Sequence, residues 1–309
     1  MLLLVGFARA DTLADFQRLS QQFARQFDAG EYQQAEQTAL ALRGLAEGPL
    51  RRAPVALGRA LGMQARVVAR QGRHEEAERL YQQAIAVLDG SGASGQSDLG
   101  IVLNSLGDLY RQLARYGQAE PAYRRALEVW EKQLGPAHQN VAAAVYNLAA
   151  VNHAMGRYAE AEPLARRALE IDVKLHGPEH FDVASCLSLI GTLYHEQGRD
   201  DEAEPMYQRA LAIQEKALGP QHPHVADTLH NMVRVQQDRG RYAEAERLAR
   251  RALEIRRRSL PADHPDVADS LHLLAGLLNR QGRHDEAVPF CRDALVIRMR
   301  RYGMDHGDV

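Results

Sequence analysis

The sequence predicts an all-α fold, an α-solenoid of seven tandem helix-turn-helix repeats. Segments 156–171 and 240–255 differ at one position and lie 84 residues apart, which is twice 42. Hydrophobic residues make up 45% of the chain and aromatic residues 6%, a composition that favours closely packed helices over a sheet sandwich. A step of 42 residues meets an alanine in every unit, at Ala35, Ala77, Ala119, Ala161, Ala203, Ala245 and Ala287.

Two further ladders share this period. The first holds alanine in all but its first member: Leu42, Ala84, Ala126, Ala168, Ala210, Ala252 and Ala294. The second is apolar and large: Leu19, Leu61, Leu103, Val145, Leu187, Leu229 and Leu271. Small residues let neighbouring helices approach closely, and large apolar residues fill the space between them. We therefore assign all three ladders to the core.

The first helix of each unit, helix A, has an apolar stripe at helical spacing, as in Leu103, Leu106 and Leu109. A glycine that can adopt the left-handed conformation marks its end, and Ala114 is the exception. The predicted N-caps of helix A are Asn140, Asp182, Asp266 and, less ideally, His224. The turn glycines are Gly30, Gly72, Gly156, Gly198, Gly240 and Gly282.

The second helix, helix B, is predicted to start around the Glu-Ala-Glu segment, because acidic residues suit a helix N-terminus. Prolines fall near the end of its first turn, where a missing N–H is tolerated. A Gly-Pro pair ends the helix in three units. The prolines are Pro121, Pro163, Pro205 and Pro289, and the Gly-Pro pairs start at Gly135, Gly177 and Gly219.

The domain prediction is a lead-in over residues 1–12 followed by an array over 13–308. The seven units lie near 13–56, 57–98, 99–140, 141–182, 183–224, 225–266 and 267–308. Met1 to Phe7 is short and apolar, and Ala8-Arg9-Ala10 has the form of a signal-peptidase site without a basic segment before it. The segment is therefore either a lead-in to the first helix, in which case the protein is cytoplasmic, or the end of a signal peptide, in which case the protein is exported.

The formal net charge of -2 gives no long-range field for nucleic acid or anionic lipid, and no apolar stretch is long enough to span a bilayer. Cys186 and Cys291 are far apart in the repeat array, which argues against a disulfide framework. We expect both to be small buried residues.

These features resemble the tetratricopeptide repeat, in the 42-residue form found in kinesin light chains. The resemblance rests on Gly156-Arg157-Tyr158 with Ala161, on Ala168 to Ile171, and on the linker 218–223. It is most specific from Leu99 onward. It implies a right-handed superhelix in which the A helices line a concave groove that receives an extended or helical peptide.

Helix geometry places a second set of positions, spaced i, i+4 and i+7, on a face away from the core. Asn104, Asn147 and Asn231 keep part of an asparagine pattern that the family often carries, and Leu189 and Leu273 depart from it. The predicted groove residues are Asn104, Asp108, Arg111, Tyr146, Asn147, His153, Ser188, Thr192, His195, His230, Asn231, Arg234, Gln237, His272 and Asn279. Among them, Tyr146, His195, His230 and Arg234 are the predicted hot spots.

No cofactor or metal site is predicted. The linker histidines recur at the repeat length, which indicates a structural role: His138, His180, His222, His264 and His306. We interpret the groove histidines as peptide contacts rather than zinc ligands. Gly90 to Gly95 fits a dinucleotide fingerprint formally, but it follows a helix and lacks a preceding strand, which indicates a linker. Nucleophile, P-loop and metalloprotease motifs are missing from the sequence, so an enzyme is not expected.

The predicted function is a scaffold for protein-protein interaction that binds a peptide or protein segment in the groove. The alternative is a sensory or regulatory repeat region of a larger, truncated signalling or protease protein. Val309 stands one repeat length after Val267, at the first position of an eighth helix A. An uncapped last repeat predicts exposed apolar side chains among Phe290, Leu295 and Ile297 and self-association through them.

Overall fold

A computed structural model describes residues 2–302 of the chain and the side chains of residues 12–301. The predictions for the side chains of Met1–Ala10, for His306 and for Val309 lie outside the described residues. The described part holds fourteen α-helices and one short 3-10 helix, and no strand, which confirms the all-α fold. The helices are α1 (Leu2–Asp28), α2 (Tyr32–Glu47), α3 (Pro54–Arg70), α4 (His74–Asp89), α5 (Gln96–Gln112), α6 (Tyr116–Leu134), α7 (Gln139–Ala154), α8 (Tyr158–His176), α9 (Phe181–Glu196), α10 (Asp200–Leu218), α11 (Pro223–Asp238), α12 (Tyr242–Ser259), α13 (Pro265–Arg280) and α14 (His284–Tyr302).

The helices belong to two compact units, Met1–Arg157 and Tyr158–Val309. The first unit contains α1 to α7 and the second α8 to α14. Within each unit every helix packs against the helices before and after it. Odd-numbered helices are the A helices of the repeats and even-numbered helices are the B helices. None of the helices in the described region combines the length and apolarity needed to cross a membrane.

Both alanine ladders are buried in every repeat, as predicted. Of the large apolar ladder, Leu61 to Leu271 are buried, whereas Leu19 on α1 is only half-buried because it belongs to the first repeat. Cys186 is buried, but Cys291 is exposed, so the prediction for Cys291 is wrong. Cys291 lies on α14, the last helix, where no later helix among the described residues covers it.

The six predicted turn glycines adopt positive φ angles, between 69° and 81°. Ala114, at the same place in its repeat, also adopts a positive φ of 54°. The turn geometry is therefore set by the packing of the helices on either side, and it holds even where the residue has a Cβ that disfavours it.

The start of helix A differs from the prediction. Helices α7, α9, α11 and α13 begin at Gln139, Phe181, Pro223 and Pro265, so Asn140, Asp182, His224 and Asp266 lie inside the first turn. The linker histidine is the N-cap instead: its Nδ1 accepts a hydrogen bond from the backbone N–H two residues later, at 3.1 to 3.3 Å. An imidazole nitrogen with a lone pair takes the place of the usual carboxylate or amide oxygen.

Helix B begins before the Glu-Ala-Glu segment. Helices α6, α8, α10 and α14 start five residues ahead of their proline, which therefore lies in the second turn rather than at the end of the first. The predicted Gly-Pro stops are correct, since Gly135, Gly177 and Gly219 follow the last residues of α6, α8 and α10 and adopt positive φ angles. The glycine-rich segment 90–95 includes the 3-10 helix Gly92–Gly95.

Within each unit, a ladder of ion pairs joins residues near the starts of the B helices to arginines that follow the next A helix. An arginine just before each B helix binds a glutamate 37 residues earlier, near the start of the preceding B helix. The N–O distances lie between 2.5 and 3.3 Å. The pairs are Arg73–Glu36, Arg115–Glu78 and Arg157–Glu120 in the first unit, and Arg199–Glu162, Arg241–Glu204 and Arg283–Glu246 in the second.

The last helix exposes apolar side chains, as predicted. Leu295 is 42% exposed, whereas Phe290 and Ile297 are half-buried. Val288 and Val296 are also exposed, although the sequence analysis did not single them out. A cavity of about 780 Å³ lies along this helix and is lined in part by Val267, Leu271, Val288 and Val296.

Candidate protein-binding surface

The predicted groove residues lie on helices α5 and α7 of the first unit and on α9, α11 and α13 of the second. Each set lies beside the buried stripe of its A helix, offset from it by one residue, and most of its side chains are half-buried. We call these positions the A-helix face. The structure gives their surroundings, whereas their role in binding stays a prediction.

Two asparagines of the first unit meet on this face. Asn147 on α7 donates from Nδ2 to Oδ1 of Asn104 on α5, at 3.1 Å. Asn104 in turn donates to the Asp108 carboxylate at 3.3 Å. The polar positions of two successive repeats therefore form one continuous row of side-chain amides and a carboxylate.

Asp108 is the acid of this row. Its carboxylate accepts a hydrogen bond of 2.6 Å from the Tyr123 hydroxyl on α6. Burial raises the pKa of Asp108, and the Tyr123 hydrogen bond and the charges of Arg111 and Arg66 oppose that rise in part. Arg111 lies close enough to Tyr146 to interact with it electrostatically.

His153, near the end of α7, is half-buried, as is Tyr146. The structure thus places all six predicted residues of the first unit on α5 and α7. It brings Asn104, Asp108 and Asn147 together by direct hydrogen bonds.

Two neighbouring cavities open on the same face, with volumes of about 400 and 190 Å³. Both are lined by Arg66, Tyr81 and Ser105. Ile101, which is 44% exposed, contributes an apolar wall to the larger cavity, and Asp108 lines the smaller one. This part of the surface is therefore concave and combines apolar area with positive charge.

Helix α3 also contributes to this site, which the sequence pattern did not indicate. Arg66 on α3 lies 42 residues before Asp108. The repeat register identifies Arg66, but the motif is weak in the first two repeats. The Arg66 guanidinium lies over the ring of Phe27, 4.5 Å from its centroid.

Charge in the larger cavity is partly compensated. Arg59 on α3 makes two parallel hydrogen bonds to the Asp98 carboxylate, at 2.9 and 2.8 Å. A bidentate pair of this kind fixes both side chains and leaves little net charge at that end of the cavity. Arg66 is therefore the cation that defines the centre of the concave surface.

In the second unit, Ser188 and Thr192 lie on α9. The Ser188 hydroxyl is 3.3 Å from that of Thr228 on α11, and the Tyr207 hydroxyl donates to Thr192 at 2.9 Å. Thr192 donates to the Ser188 carbonyl at 3.0 Å. Hydroxyl contacts here take the place of the amides found in the first unit.

His195 is 8% exposed, and its Nδ1 lies 2.8 Å from the Asp200 carboxylate. Its Nε2 lies 3.9 Å from Asp238. The structure therefore places this histidine in an internal polar contact between α9 and α10, and little of the side chain is left for a partner.

His230 and Arg234 lie one turn apart on α11. Burial lowers the pKa of His230, with a smaller contribution from Arg256, so its imidazole is neutral at neutral pH. His230 Nδ1 is buried and has no hydrogen-bond partner among the described residues. Arg234 donates to Glu196 at 3.0 Å.

The remaining predicted positions are Asn231 and Gln237 on α11, which are half-buried, and His272 and Asn279 on α13, which are exposed. Asn279 lies 3.2 Å from His284 at the start of α14. These four side chains do not converge on one another through any hydrogen bond that the described structure shows between them.

Comparison with known proteins places the fold. The tetratricopeptide repeat model matches residues 98–172, 140–216, 191–258 and 224–298, and a related model of the same repeat matches 60–92. A search of curated proteins found no significant match.

Solved structures share the architecture. BtubC (BKLC) from P. vanneervenii is 20% identical, with a TM-score of 0.62 over 76% of this chain and 94% of that one. A kinesin light chain protein from Podosopora anserina, with nearly identical repeats, is 25% identical, with a TM-score of 0.54 over 67% of this chain and 98% of that one. The apo form of RapI is 15% identical, with a TM-score of 0.68 over 92% and 77%.

The repeat model covers most of the chain, and the helix bounds, turn glycines and buried alanine ladders agree with it. The 42-residue repeats are of the kinesin-light-chain-like type, and their architecture is that of a protein-interaction scaffold. The chain belongs to the tetratricopeptide repeat family.

Proposed function

We propose that the chain binds a segment of a partner protein along the A-helix face, with the principal site in the first unit. The observation that carries this proposal is that Asp108, which Asn104 joins to the polar row, also lines the smaller of the two cavities around Arg66. Side-chain amides both donate and accept, so a row of them suits the alternating N–H and C=O groups of a peptide backbone.

The apolar requirement of such a site is met by the larger cavity. Ile101 and Met63 line it together with the aliphatic part of Arg66. Binding energy at protein interfaces concentrates where one side chain of the partner fills a desolvated pocket. We therefore expect the partner segment to insert one apolar side chain between α3 and α5.

The positive charge at the centre of the site favours a partner segment in which an acidic residue lies next to the apolar residue that fills the cavity. Arg66 lines both cavities, and its guanidinium lies over an aromatic ring rather than in a bidentate pair with a carboxylate. A guanidinium of this kind is suited to binding a carboxylate through two parallel hydrogen bonds. The expected ligand is thus a segment with an apolar residue next to Asp or Glu.

A second contact lies on α11 of the second unit. The buried Nδ1 of His230 has no partner among the described residues, and Arg234 is close by in the same face. The Arg234 side chain is 43% exposed and donates to Glu196. We expect an acidic group of the partner to bind Arg234 there, beside the His230 ring.

A peptide-display selection on the whole chain tests the proposal. Peptides enriched by the wild-type chain are measured by fluorescence anisotropy against the double variant Arg66→Ala, Asn147→Ala. We expect the affinity to fall at least about tenfold, since central interface residues carry most of the binding energy. Enriched peptides are expected to contain an apolar residue beside Asp or Glu.

The matched control is Arg124→Ala, which removes an exposed arginine of α6 outside this face. Its affinity for the same peptides is expected to equal that of the wild type. Equal losses in control and double variant, or unchanged affinity in the double variant, contradict binding at this face. Arg234→Ala tests the second contact in the same assay, with the melting temperature expected to stay unchanged.

A further inference from the structure

One linker of the second unit differs from the others in its chemistry. It joins α8 to α9, and four side chains with oxygen or nitrogen donors gather there: Asp172, His176, His180 and Asp182. We propose that this cluster, which we call the linker cluster, binds a divalent transition-metal ion of the Zn²⁺ class. This proposal does not depend on the proposed function.

The repeat register shows how unusual the composition is. His176 stands where other repeats have Leu134, Leu218 and Leu260. Asp172 stands where others have Trp130, Gln214 and Arg256. The linker histidine His180 is common to the last five repeats. Asp172 and His176 are therefore two residues of metal-binding type that the equivalent positions of other repeats lack. Both lie close to His180, the histidine that those repeats share.

The distances suit a small cation. His180 Nδ1 lies 3.3 Å and His176 Nδ1 lies 3.9 Å from the same Asp182 oxygen. His176 Nδ1 lies 4.0 Å from an Asp172 oxygen. Ligand bonds of about 2.0 to 2.1 Å in a tetrahedral site imply ligand–ligand separations of about 3.3 to 3.4 Å. The donor atoms of His176, His180 and Asp182 lie within 4.8 Å of one another, so movements of up to about 1.5 Å in these exposed side chains bring them to such separations.

The donor set also selects the class of metal. The two imidazole rings are stacked, with centroids 4.3 Å apart, which brings the two nitrogens to one side of the linker. Two imidazoles and carboxylate oxygens suit Zn²⁺ and its neighbours, whereas Ca²⁺ and Mg²⁺ take oxygen ligands alone. Exposure of His180 and Asp182 gives the ion a path from solvent.

Asp172 is a buried carboxylate that core packing does not explain. Its side chain is 8% exposed, and one oxygen accepts a hydrogen bond from the Cys186 thiol at 3.4 Å while the other faces His176. A cation beside this carboxylate would compensate its burial.

His180 already has the tautomer that metal binding at Nδ1 requires. Its Nδ1 accepts from the Asp182 backbone N–H, so the proton is on Nε2 and the lone pair is on Nδ1. The ion would take this lone pair in place of the helix cap. Binding then ties the end of α8 to the start of α9 through side chains of both.

Titration of the whole chain with Zn²⁺ by isothermal calorimetry tests the proposal, and Co²⁺ provides a visible absorption spectrum that reports four-coordination. We expect one ion per chain and a higher melting temperature with Zn²⁺. Three variants copy residues from other repeats and are therefore compatible with the fold: His176→Leu, Asp182→Asn and Asp172→Gln. Each is expected to weaken Zn²⁺ binding at least about tenfold.

The matched control is His264→Asn, which changes the same linker histidine in a repeat that has Asp266 but has Leu260 and Arg256 in place of His176 and Asp172. Its Zn²⁺ affinity is expected to equal that of the wild type. Absence of Zn²⁺ binding by the wild type overturns the proposal. So does binding that His176→Leu and His264→Asn weaken equally, because that pattern indicates scattered surface histidines.

Discussion

At the scale of single residues, the repeats differ in the sizes of the two side chains that meet at one contact between helix A and helix B. A glycine of helix A faces a tyrosine of helix B in two repeats: a Cβ on Gly107 would lie 2.7 Å from Tyr123, and one on Gly191 would lie 3.0 Å from Tyr207. The same two positions hold Ala149 with Ala165 elsewhere. Glycine thus stands opposite tyrosine in two repeats and alanine opposite alanine in another, whereas the second repeat has Ala65 opposite Tyr81.

This contact gives a prediction for Gly191→Ala. The added methyl group would lie 3.0 Å from the Tyr207 ring, which has to shift by a few tenths of an ångström, so we expect a net loss of up to about 1 kcal/mol in the free energy of unfolding after the gain in helix propensity. The double variant Gly191→Ala, Tyr207→Ala reproduces the pair of another repeat, and its cost is expected to be less than the sum of the single costs. Urea denaturation measures all three.

The control is Gly276→Ala on α13, where an added Cβ meets no atom within 4 Å. Helix propensity alone then predicts a gain of about 0.5 to 1 kcal/mol. Additive losses in the double variant would show that the two residues do not share this contact.

Ala114 carries a strained turn. Its φ of 54° lies in the left-handed region, where an L-residue with a Cβ costs about 1 to 2 kcal/mol. Ala114→Gly is therefore expected to stabilise the first unit by about 1 kcal/mol, reduced by the greater freedom of glycine in the unfolded chain. The melting temperature measures the effect. Ala143→Gly, at an exposed site inside α7, is expected to lower the melting temperature. If both variants change the melting temperature in the same direction, the turn at Ala114 is not strained.

At the scale of elements, the ion-pair ladder holds successive B helices in register. Arg157 lowers the pKa of Glu120, and Arg115 that of Glu78, chiefly through hydrogen bonds to the ionised carboxylates. A carboxyl whose pKa is lower in the folded chain stabilises that state at pH values above its unfolded pKa. The stabilisation disappears as the pH falls through the lowered value.

The ladder therefore predicts loss of stability on acidification below the ordinary glutamate pKa of 4.5. Glu120→Gln is expected to cost up to about 1 kcal/mol at pH 7 and to reduce the change in stability between pH 7 and pH 3. Urea midpoints at several pH values measure this. Glu128→Gln, on the same helix but outside the ladder, serves as control, and identical pH profiles for the two variants would refute the contribution of the ladder.

The elements also show what the sequence could predict. The alanine ladders and turn glycines follow from residue size and backbone freedom, so periodicity was enough to find them. The histidine caps were missed because preferences for Asn and Asp favoured the residue two places later. The rungs of the ladder span 37 residues, a separation that corresponds to no helical period, and only the packing of successive repeats reveals them. Arg66 was missed because the motif is weak around α3.

At the scale of the whole molecule, the described surface has one extended apolar region on its last helix. Val288 is 62% exposed beside a cavity of about 780 Å³ that Val267, Leu271 and Val296 also line. Exposed apolar patches of this kind on soluble proteins mark interaction sites. In a repeat protein each unit buries its apolar face against a neighbour, so an apolar face that no described helix covers is complementary to another apolar surface.

We predict that two copies of the chain associate through this region at high concentration. Burial of the valines is worth about 25 cal/mol per Å² of apolar surface, and a lysine at the centre would have to lose its hydration on association. Val288→Lys is therefore expected to keep the chain monomeric in sedimentation velocity at concentrations where the wild type associates. Leu40→Lys changes an equally apolar, 42% exposed residue on α2 and is expected to leave association unchanged. If both variants associate as the wild type does, or if the wild type remains monomeric at every concentration, α14 is not a self-association surface.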